Sequence, residues 1–313
     1  MPICTSSCNS FFETEIWLDI VAKGQWKRLE VRKNNGTLEA SFPIVKTRKY
    51  GCKVLTTPFF TQTIGIYFED TGAKLAKRLE KEKKHIYKII EMLPKGYSCD
   101  FYLDANNKYV LPFKWKGFDV VPCFTYRIEE LDDLDKVWKG LKENIRTDIR
   151  KADKIVTISN CDADTIYDLQ EKVFLRQGRH FPYKRDIIKS ICEELKKYDA
   201  IDLIKATDNY GNIHAAALFV YDDKRCYYLM GGADSEFRKS GATSLLVWEG
   251  IKRASERGVN IFDFEGSMIE DIERFVRAFG AEPCVYYHVM KYRLCYKIMN
   301  SIKVLTKQVL GYK

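Results

Sequence analysis

The sequence contains no long apolar run, no C-x-x-C pair and only 4 histidines in 313 residues. No stretch approaches the ~20 apolar residues that a membrane-spanning helix needs. The ten cysteines are dispersed, and Cys4 and Cys8 have no further Cys or His at zinc spacing. We therefore expect no metal site. The first fifteen residues lack a basic segment followed by an apolar one, so we expect no secretory signal and a reducing, cytoplasmic location.

The composition is that of a folded protein with sizeable cores. Hydrophobic residues make up 46% and aromatic residues 13%, and a length of 313 residues predicts about two domains. We place the first domain at residues 1–129, the second at 130–290, and a basic C-terminal helix at 291–313. The net charge of +9 favours an anionic partner such as a nucleotide, a phosphorylated carrier, a nucleic acid or a lipid surface. Lysine-rich solvated helices would explain it equally well.

Strands and helices alternate with a period that predicts an α/β fold. The first third reads as strands and turns, with a hairpin at Asn34–Gly36 because Asn and Gly tolerate a tight turn. A helix is predicted over Gly72–Met92, and a loop is predicted around Pro112 and Trp115. After residue 130, helices and strands follow one another with the spacing of a layered sheet.

The segment MGGADSEFRKSGATSLLVWEGIKRA joins a predicted strand to a predicted helix. Ala242, Thr243 and Ser244 would form the first turn of this helix, whose unpaired backbone N–H groups and dipole favour an anion such as a pyrophosphate. Gly241 would let the backbone approach the phosphate, and Arg238 and Lys239 would add positive charge. An ordinary strand–loop–helix connection is the alternative.

The strand pair AAALFVYD and CYYLMGGA, followed by EFRKSGATSLLVWEGIKRASERGVNIFDFEGS, resembles the core of the Gcn5-related N-acetyltransferase fold. That fold binds the coenzyme A pyrophosphate with an Arg/Gln-x-x-Gly-x-Gly/Ala loop. Arg238 and Gly241 match this loop, whereas Thr243 replaces the second small residue. We expect the cofactor to lie across the splayed strands Ala215–Tyr221 and Cys226–Met230, with its phosphates on Gly241–Ser244.

The segment FDFEGSMIEDIERFVRAFGAE, with NIRTDIRKADK upstream, resembles the Fem-type peptidyltransferases and the related FemAB-like acetyltransferases. Partial equivalents of their motifs lie at Phe262–Ser267 and Phe279–Ala281. Val276 stands where Fem enzymes often have lysine. The resemblance covers Asn144–Val289 well and the first half in pattern.

The resemblance implies an α/β protein of two tandem Gcn5-related modules with mixed, partly splayed sheets, the first module degenerate. It implies transfer of an acyl group from a thioester, acyl-coenzyme A, to an amine of a sugar or amino-acid-like acceptor in cell-envelope or polysaccharide synthesis. The acceptor could also be a lipid-linked glycan or peptide. One alternative is aminoacyl transfer from charged tRNA by a Fem-type enzyme, and another is a non-catalytic module that binds nucleic acid or membrane.

Two residues are candidates for the chemistry. Glu265 leaves the end of the predicted strand Ile261–Phe264 and could take a proton from the attacking amine if burial raised its pKa. Tyr228 lies on the strand before the glycine loop and could protonate the leaving thiolate. Asp263 alternates with Glu265 and should point to the same side, where it would contact the acceptor. Alternatively, the carboxylates cap a helix or pair with arginines, and the tyrosine is simply packed.

Basic and aromatic residues suggest where the acceptor would bind. The tract RQGRHFPYKRD places Arg179, His180 and Tyr183 in a loop between two helices, a composition that binds phosphate or carboxylate and stacks on rings. Arg146 would lie on a helix that could hold an anionic acceptor or a tRNA backbone. Solvated helix ends are the alternative for both.

The C-terminal segment predicts a basic amphipathic helix over Cys295–Val309. Its apolar side could rest on an anionic membrane at the inner face. Alternatively, it could dock on its own domain or on a dimer partner.

Overall fold

A computed structural model describes residues 7–266 and 268–309, with side chains to residue 302. The described chain divides into two compact units. The first unit contains residues 7–123 and 285–309, and the second contains residues 124–284. Whether these units are the functional modules predicted from the sequence stays a prediction.

The first unit is built on a mixed sheet. Strand β1 runs antiparallel to β2, β2 antiparallel to β3 and to the short β4, β3 parallel to β5, and β5 antiparallel to β12. The strands are β1 (Trp26–Arg32), β2 (Leu38–Lys49), β3 (Cys52–Thr56), β4 (Tyr67–Phe68), β5 (Ser98–Leu103) and β12 (Glu282–Lys291). The helices are α1 (Glu15–Val21), α2 (Leu75–Met92), α3 (Leu111–Trp115) and α10 (Leu294–Val309).

The strands of the second unit are paired in the order β6-β11-β10-β9-β8-β7. Strands β10 and β11 are parallel, and the other neighbours are antiparallel. The strands are β6 (Asp119–Glu129), β7 (Thr157–Asn160), β8 (Ile201–Thr207), β9 (Ile213–Tyr221), β10 (Arg225–Ala233) and β11 (Ile261–Asp263). The helices are α4 (Leu134–Gly140), α5 (Glu143–Ala152), α6 (Ala163–Arg176), α7 (Arg185–Lys196), α8 (Ala242–Glu256) and α9 (Glu270–Arg277).

Helices cover both faces of the sheet in the second unit. The ring of Phe219 on β9 lies where a Cβ on Gly250 of α8 would stand, 2.4 Å from the ideal atom, so α8 packs closely on one face. On the other face, Leu169 of α6 lies 3.1 Å from the ideal Cβ of Gly232 on β10. Because Gly250 and Gly232 have no side chains, both helices can pack closely on the sheet.

Two predictions about the first third were wrong. The predicted loop around Pro112 and Trp115 is the short helix α3, which accepts Pro112 because a proline in the first helical turn loses no hydrogen bond. Helix α1 was missed among the strands and turns. It begins after Thr14, whose side chain accepts a hydrogen bond from the backbone N–H of Trp17, as an N-cap does.

The sheet of the second unit splays at a different place from the one expected. A cofactor was expected across splayed strands β9 and β10, but these strands pair from Cys226 to Ala233. Strands β10 and β11 pair only as far as Tyr227 and Asp263. Strand β10 then continues for six residues beyond the end of β11. The opening of the sheet therefore lies between the two parallel strands.

Candidate active site

Helix α8 begins at Ala242, as predicted, and Gly241 is its N-cap with φ of 82°. This left-handed conformation favours glycine. The ideal Cβ of Gly241 would lie 2.4 Å from the backbone oxygen of Asp148 on α5. Glycine is therefore required here by backbone conformation and by contact with α5. A close approach of phosphate is not needed to explain it.

The predicted anion-binding residues surround this helix start. Arg238 and Lys239 are exposed on the turn before it, Thr243 is partly exposed, and Ala242 and Ser244 are buried. The N–H of Ala242 donates to the hydroxyl of Ser240 at 3.2 Å, so one helix-end donor is already used. The other N–H donors at the start of the helix, the helix dipole and the two exposed cations together fit a pyrophosphate. The donor set is therefore compatible with coenzyme A.

A β-bulge lies on β10 next to the opening of the sheet. The register with β9 shifts between Tyr228 and Met230, so that Leu229 has no Cα partner on β9. Bulges interrupt the hydrogen-bond ladder and occur frequently beside active sites. The bulged residue Leu229 lies two residues beyond Tyr227, the last residue of β10 that pairs with β11, where the two strands separate.

Asp263 lies at the centre of a buried hydrogen-bond network. Its Oδ1 accepts from Thr125 Oγ1 at 2.6 Å and from the backbone N–H of Glu265 at 2.9 Å. Its Oδ2 accepts from Arg127 Nε at 2.7 Å. The side chains of Asp263 and Arg127 are 1% and 9% exposed. This network leaves Asp263 bound to the protein itself, although the sequence suggested that it would contact the acceptor.

Glu265 lies directly after this network in a strained position. Its φ is 58°, which is uncommon for a residue other than glycine, and such outliers cluster at functional sites. Burial, together with the charge of Asp263, raises the pKa of Glu265 well above 4.5. A buried carboxyl with a raised pKa is the property required of a base that works near neutral pH.

Tyr183 lies close enough to Glu265 for the carboxylate charge to act on its hydroxyl. The loop between α6 and α7 carries Tyr183, and burial together with the charge of Glu265 raises the pKa of its hydroxyl. Phe181 fixes this loop, since its ring centroid lies 5.4 Å from that of Tyr183 and 5.1 Å from that of Phe174. Arg179 and His180, which were predicted beside Tyr183, are exposed on the same loop.

Tyr228 lies on the face of the sheet that α8 covers. Its ring stacks on Phe219 at a centroid distance of 5.5 Å, and its hydroxyl occupies the space where a side chain on Gly231 would stand. Burial raises the pKa of Tyr228 to about 12. The hydroxyl therefore keeps its proton at neutral pH and could give it to a stronger base.

Arg146 is held on α5 by its own neighbours. Its Nη2 pairs with Glu143 at 2.5 Å, and its Nη1 donates to the carbonyl of Lys139 at 3.2 Å. These bonds hold its guanidinium beside α4 and α5. Whether it contacts an acceptor stays a prediction.

The two side-chain hydrogen-bond partners of Asp263 were not predicted from the sequence. They are Thr125 and Arg127. The register of β6 against β11 places Arg127 directly opposite Asp263. Arg127 is a charged residue among the apolar residues of β6. This pattern could have indicated a buried ion pair, because a buried charge needs a partner. That partner lies 136 residues away in the sequence, so no local pattern could have named it.

Residues 139–275 match the family model "Acetyltransferase (GNAT) domain". Among solved structures, FemX is similar over 90% of this chain and 92% of its own, with 13% identity and a TM-score of 0.68. The C-terminal domain of a putative lysylphosphatidylglycerol synthetase from Agrobacterium fabrum is similar over 88% of both chains, with 13% identity and a TM-score of 0.54. A tandem GNAT protein from the clavulanic acid pathway covers 93% of this chain and 96% of its own at 10% identity, with a TM-score of 0.50. No curated protein sequence matches significantly.

These comparisons show the fold of the protein. Residues 139–275 match a GNAT-type acetyltransferase domain. The α/β fold of the chain is similar to those of FemX and of a tandem GNAT protein. The resemblance to the GNAT fold expected from the sequence is thereby confirmed. The Ser267 end of the motif Phe262–Ser267 lies outside the described residues.

Among the described residues, no group of three or more His, Cys, Asp or Glu side chains could hold a metal ion. None of the described helices is both long and apolar enough to cross a bilayer.

Proposed function

We propose that this protein transfers an acyl group from acyl-coenzyme A to an amine of a sugar or amino-acid-like acceptor. The observation that carries the proposal is Glu265, a buried carboxyl of raised pKa beside the opening between β10 and β11. In a GNAT-type domain, such a group can deprotonate an amine next to a bound thioester. Cell-envelope or polysaccharide synthesis is the proposed setting.

The reaction is a direct attack of the neutral amine on the thioester carbonyl carbon. The C–N bond forms as the C–S bond breaks, Glu265 accepts the proton from the amine, and the hydroxyl of Tyr228 donates a hydrogen bond to the leaving thiolate, which takes its proton from solvent. Backbone N–H groups at the bulge of β10 would polarise the carbonyl oxygen. Coenzyme A, when bound, supplies the activated acyl group as a thioester.

The binding roles follow from the surroundings of each residue. Arg238 and Lys239, with Thr243 at the start of α8, would hold the donor phosphates. Tyr183 would contact the acceptor amine next to Glu265, and the exposed Arg179 and His180 would meet an anionic part of the acceptor. Asp263 would position Glu265 through its backbone N–H.

The test compares donor binding with turnover. Isothermal titration with acetyl-coenzyme A should give a dissociation constant that weakens about tenfold in an Arg238→Gln, Lys239→Gln variant, the scale of losing charge-assisted bonds. A Glu265→Gln variant should bind the donor normally and lose about a hundredfold in turnover. The proposal fails if acetyl-coenzyme A does not bind or if turnover survives in Glu265→Gln.

Aminoacyl transfer from charged tRNA is the second candidate. It is favoured by the likeness to FemX, which has the highest TM-score of the three structures compared, 0.68 against 0.54 and 0.50. It is also favoured by Gly241, whose conformation is explained by α5 without a phosphate. Thermal stabilisation by charged tRNA, but not by acetyl-coenzyme A, would replace the first candidate with this one.

A further inference from the structure

Helix α10 carries an apolar face that is exposed to solvent. The side chains of Leu294 and Ile298 are 73% and 50% exposed. Leu294 and Ile298 are four residues apart and therefore lie about 40° apart around the helix, one above the other. The helix predicted from the sequence over Cys295–Val309 is present as Leu294–Val309.

The opposite face of the helix is the one that holds it to the first unit. Tyr296 is 5% exposed and lies about 200° around the helix from Ile298. Its ring centroid is 5.0 Å from that of Tyr292 and 6.3 Å from that of Tyr50. The hydroxyl of Tyr292 donates to Asp100 at 3.2 Å. The start of the helix is therefore anchored with its apolar face turned away from the unit.

The charges on the helix identify what this face would meet. None of residues 294–309 is acidic, and the sequence places cations at Arg293, Lys297, Lys303 and Lys307. A second copy of the chain would bring the same cations together, which opposes self-association through this face. Exposed apolar side chains flanked by cations are the arrangement of helices that lie in the interface of an anionic bilayer.

We propose that α10 docks the protein on the surface of an anionic membrane, with Leu294 and Ile298 inserted among the lipids and Lys297 facing their headgroups. This proposal does not depend on the transferase reaction. It concerns only where in the cell the protein is located.

The test is flotation of the full-length protein with vesicles, without donor or acceptor. Binding to phosphatidylcholine vesicles containing phosphatidylglycerol should exceed binding to pure phosphatidylcholine at least tenfold and fall as salt rises, because the charge attraction is screened. A Leu294→Ser, Ile298→Ser variant should lose at least tenfold in partition. Lys297→Gln should lose about fivefold, since each cation near the surface contributes about 1 kcal/mol.

Leu111→Ser is the matched control, because Leu111 is 51% exposed in the same unit but lies on α3. It should partition like the wild type. The proposal is overturned if the protein does not float with anionic vesicles or if the double variant floats as well as the wild type. It is also overturned if gel filtration shows a dimer that the double variant dissociates, because a second copy would then cover the face. Circular dichroism of each variant establishes that the fold is retained.

Discussion

Asp263 and Glu265 are two residues apart in the sequence. Removing the charge of one is expected to change the free energy of unfolding very differently from removing the charge of the other. Asp263 accepts three hydrogen bonds, one of them from the guanidinium of Arg127, and both side chains of this ion pair are at most 9% exposed. Replacing Asp263 with Asn removes the negative charge and leaves the Arg127 charge in a buried place. Removing one partner of a buried pair costs about 3–5 kcal/mol.

The measurement is urea unfolding followed by tryptophan fluorescence at neutral pH. With a slope of about 2 kcal/mol per molar urea, the loss lowers the midpoint of Asp263→Asn by roughly 2 M. Thr125→Val keeps the shape and removes one hydrogen bond to the carboxylate, so its free energy of unfolding should fall by about 2 kcal/mol. Glu265→Gln is the matched control and should unfold at or above the wild-type midpoint, because it leaves the ion pair intact and removes a carboxyl whose charged form burial disfavours.

A midpoint for Asp263→Asn within about 0.3 M of the wild type would refute this reasoning, since it corresponds to less than about 1 kcal/mol. Equal losses in Asp263→Asn and Glu265→Gln would also refute it, because the two carboxylates would then share one structural role. If the reasoning holds, the activity of Asp263→Asn cannot be interpreted as a loss of acceptor contact, because the position of Glu265 changes with it.

Four further outcomes follow from the structure. Because burial raises the pKa of Glu265, kcat/KM should rise with pH above 4.5 as the base loses its proton, and this rise should be absent from the pH profile of Glu265→Gln. Burial and the charge of Asp104 raise the pKa of Glu13 from 4.5 to about 8, so the folded state keeps a proton that the unfolded state loses; the free energy of unfolding should fall by about 1.4 kcal/mol per pH unit over this window, and this fall should be smaller in Glu13→Gln. Gly250→Ala should destabilise by about 1–2 kcal/mol in the same unfolding assay because its Cβ would meet Phe219 at 2.4 Å, whereas Gly140→Ala, with nothing within 4 Å, should not. Arg238→Gln should leave the urea midpoint unchanged and weaken donor binding in calorimetry; an unchanged affinity would remove Arg238 from the donor site.

The elements of the second unit were largely predictable from the sequence. The helix at Ala242, the strands on either side of it and the helix end before Gly258 follow from hydrophobic periodicity and from glycine at helix ends. In the first third, α3 and α1 were missed because five- and seven-residue helices are too short for periodicity to distinguish them from a loop.

The site was predictable in its residues but not in its arrangement. Glu265 was predicted from its position at a strand end, and Tyr183 from the composition of its loop. The proximity of the two residues depends on how α6 and α7 pack on the sheet. The opening between β10 and β11 was placed one strand away, because strand pairing depends on register and not on local sequence.

Gly241 shows how a motif can be present for more than one physical reason. A glycine before a helix suggests a phosphate loop because the missing Cβ leaves room for the ligand. Here the backbone of Asp148 already occupies that room, and φ of 82° would demand glycine even without any ligand. The glycine alone therefore gives little support to coenzyme A. The support comes from the cations Arg238 and Lys239, which are exposed beside the same helix end and which the fold does not require. For this reason the exposed cations, and not the glycine, are the residues whose replacement tests binding of acyl-coenzyme A at this helix end.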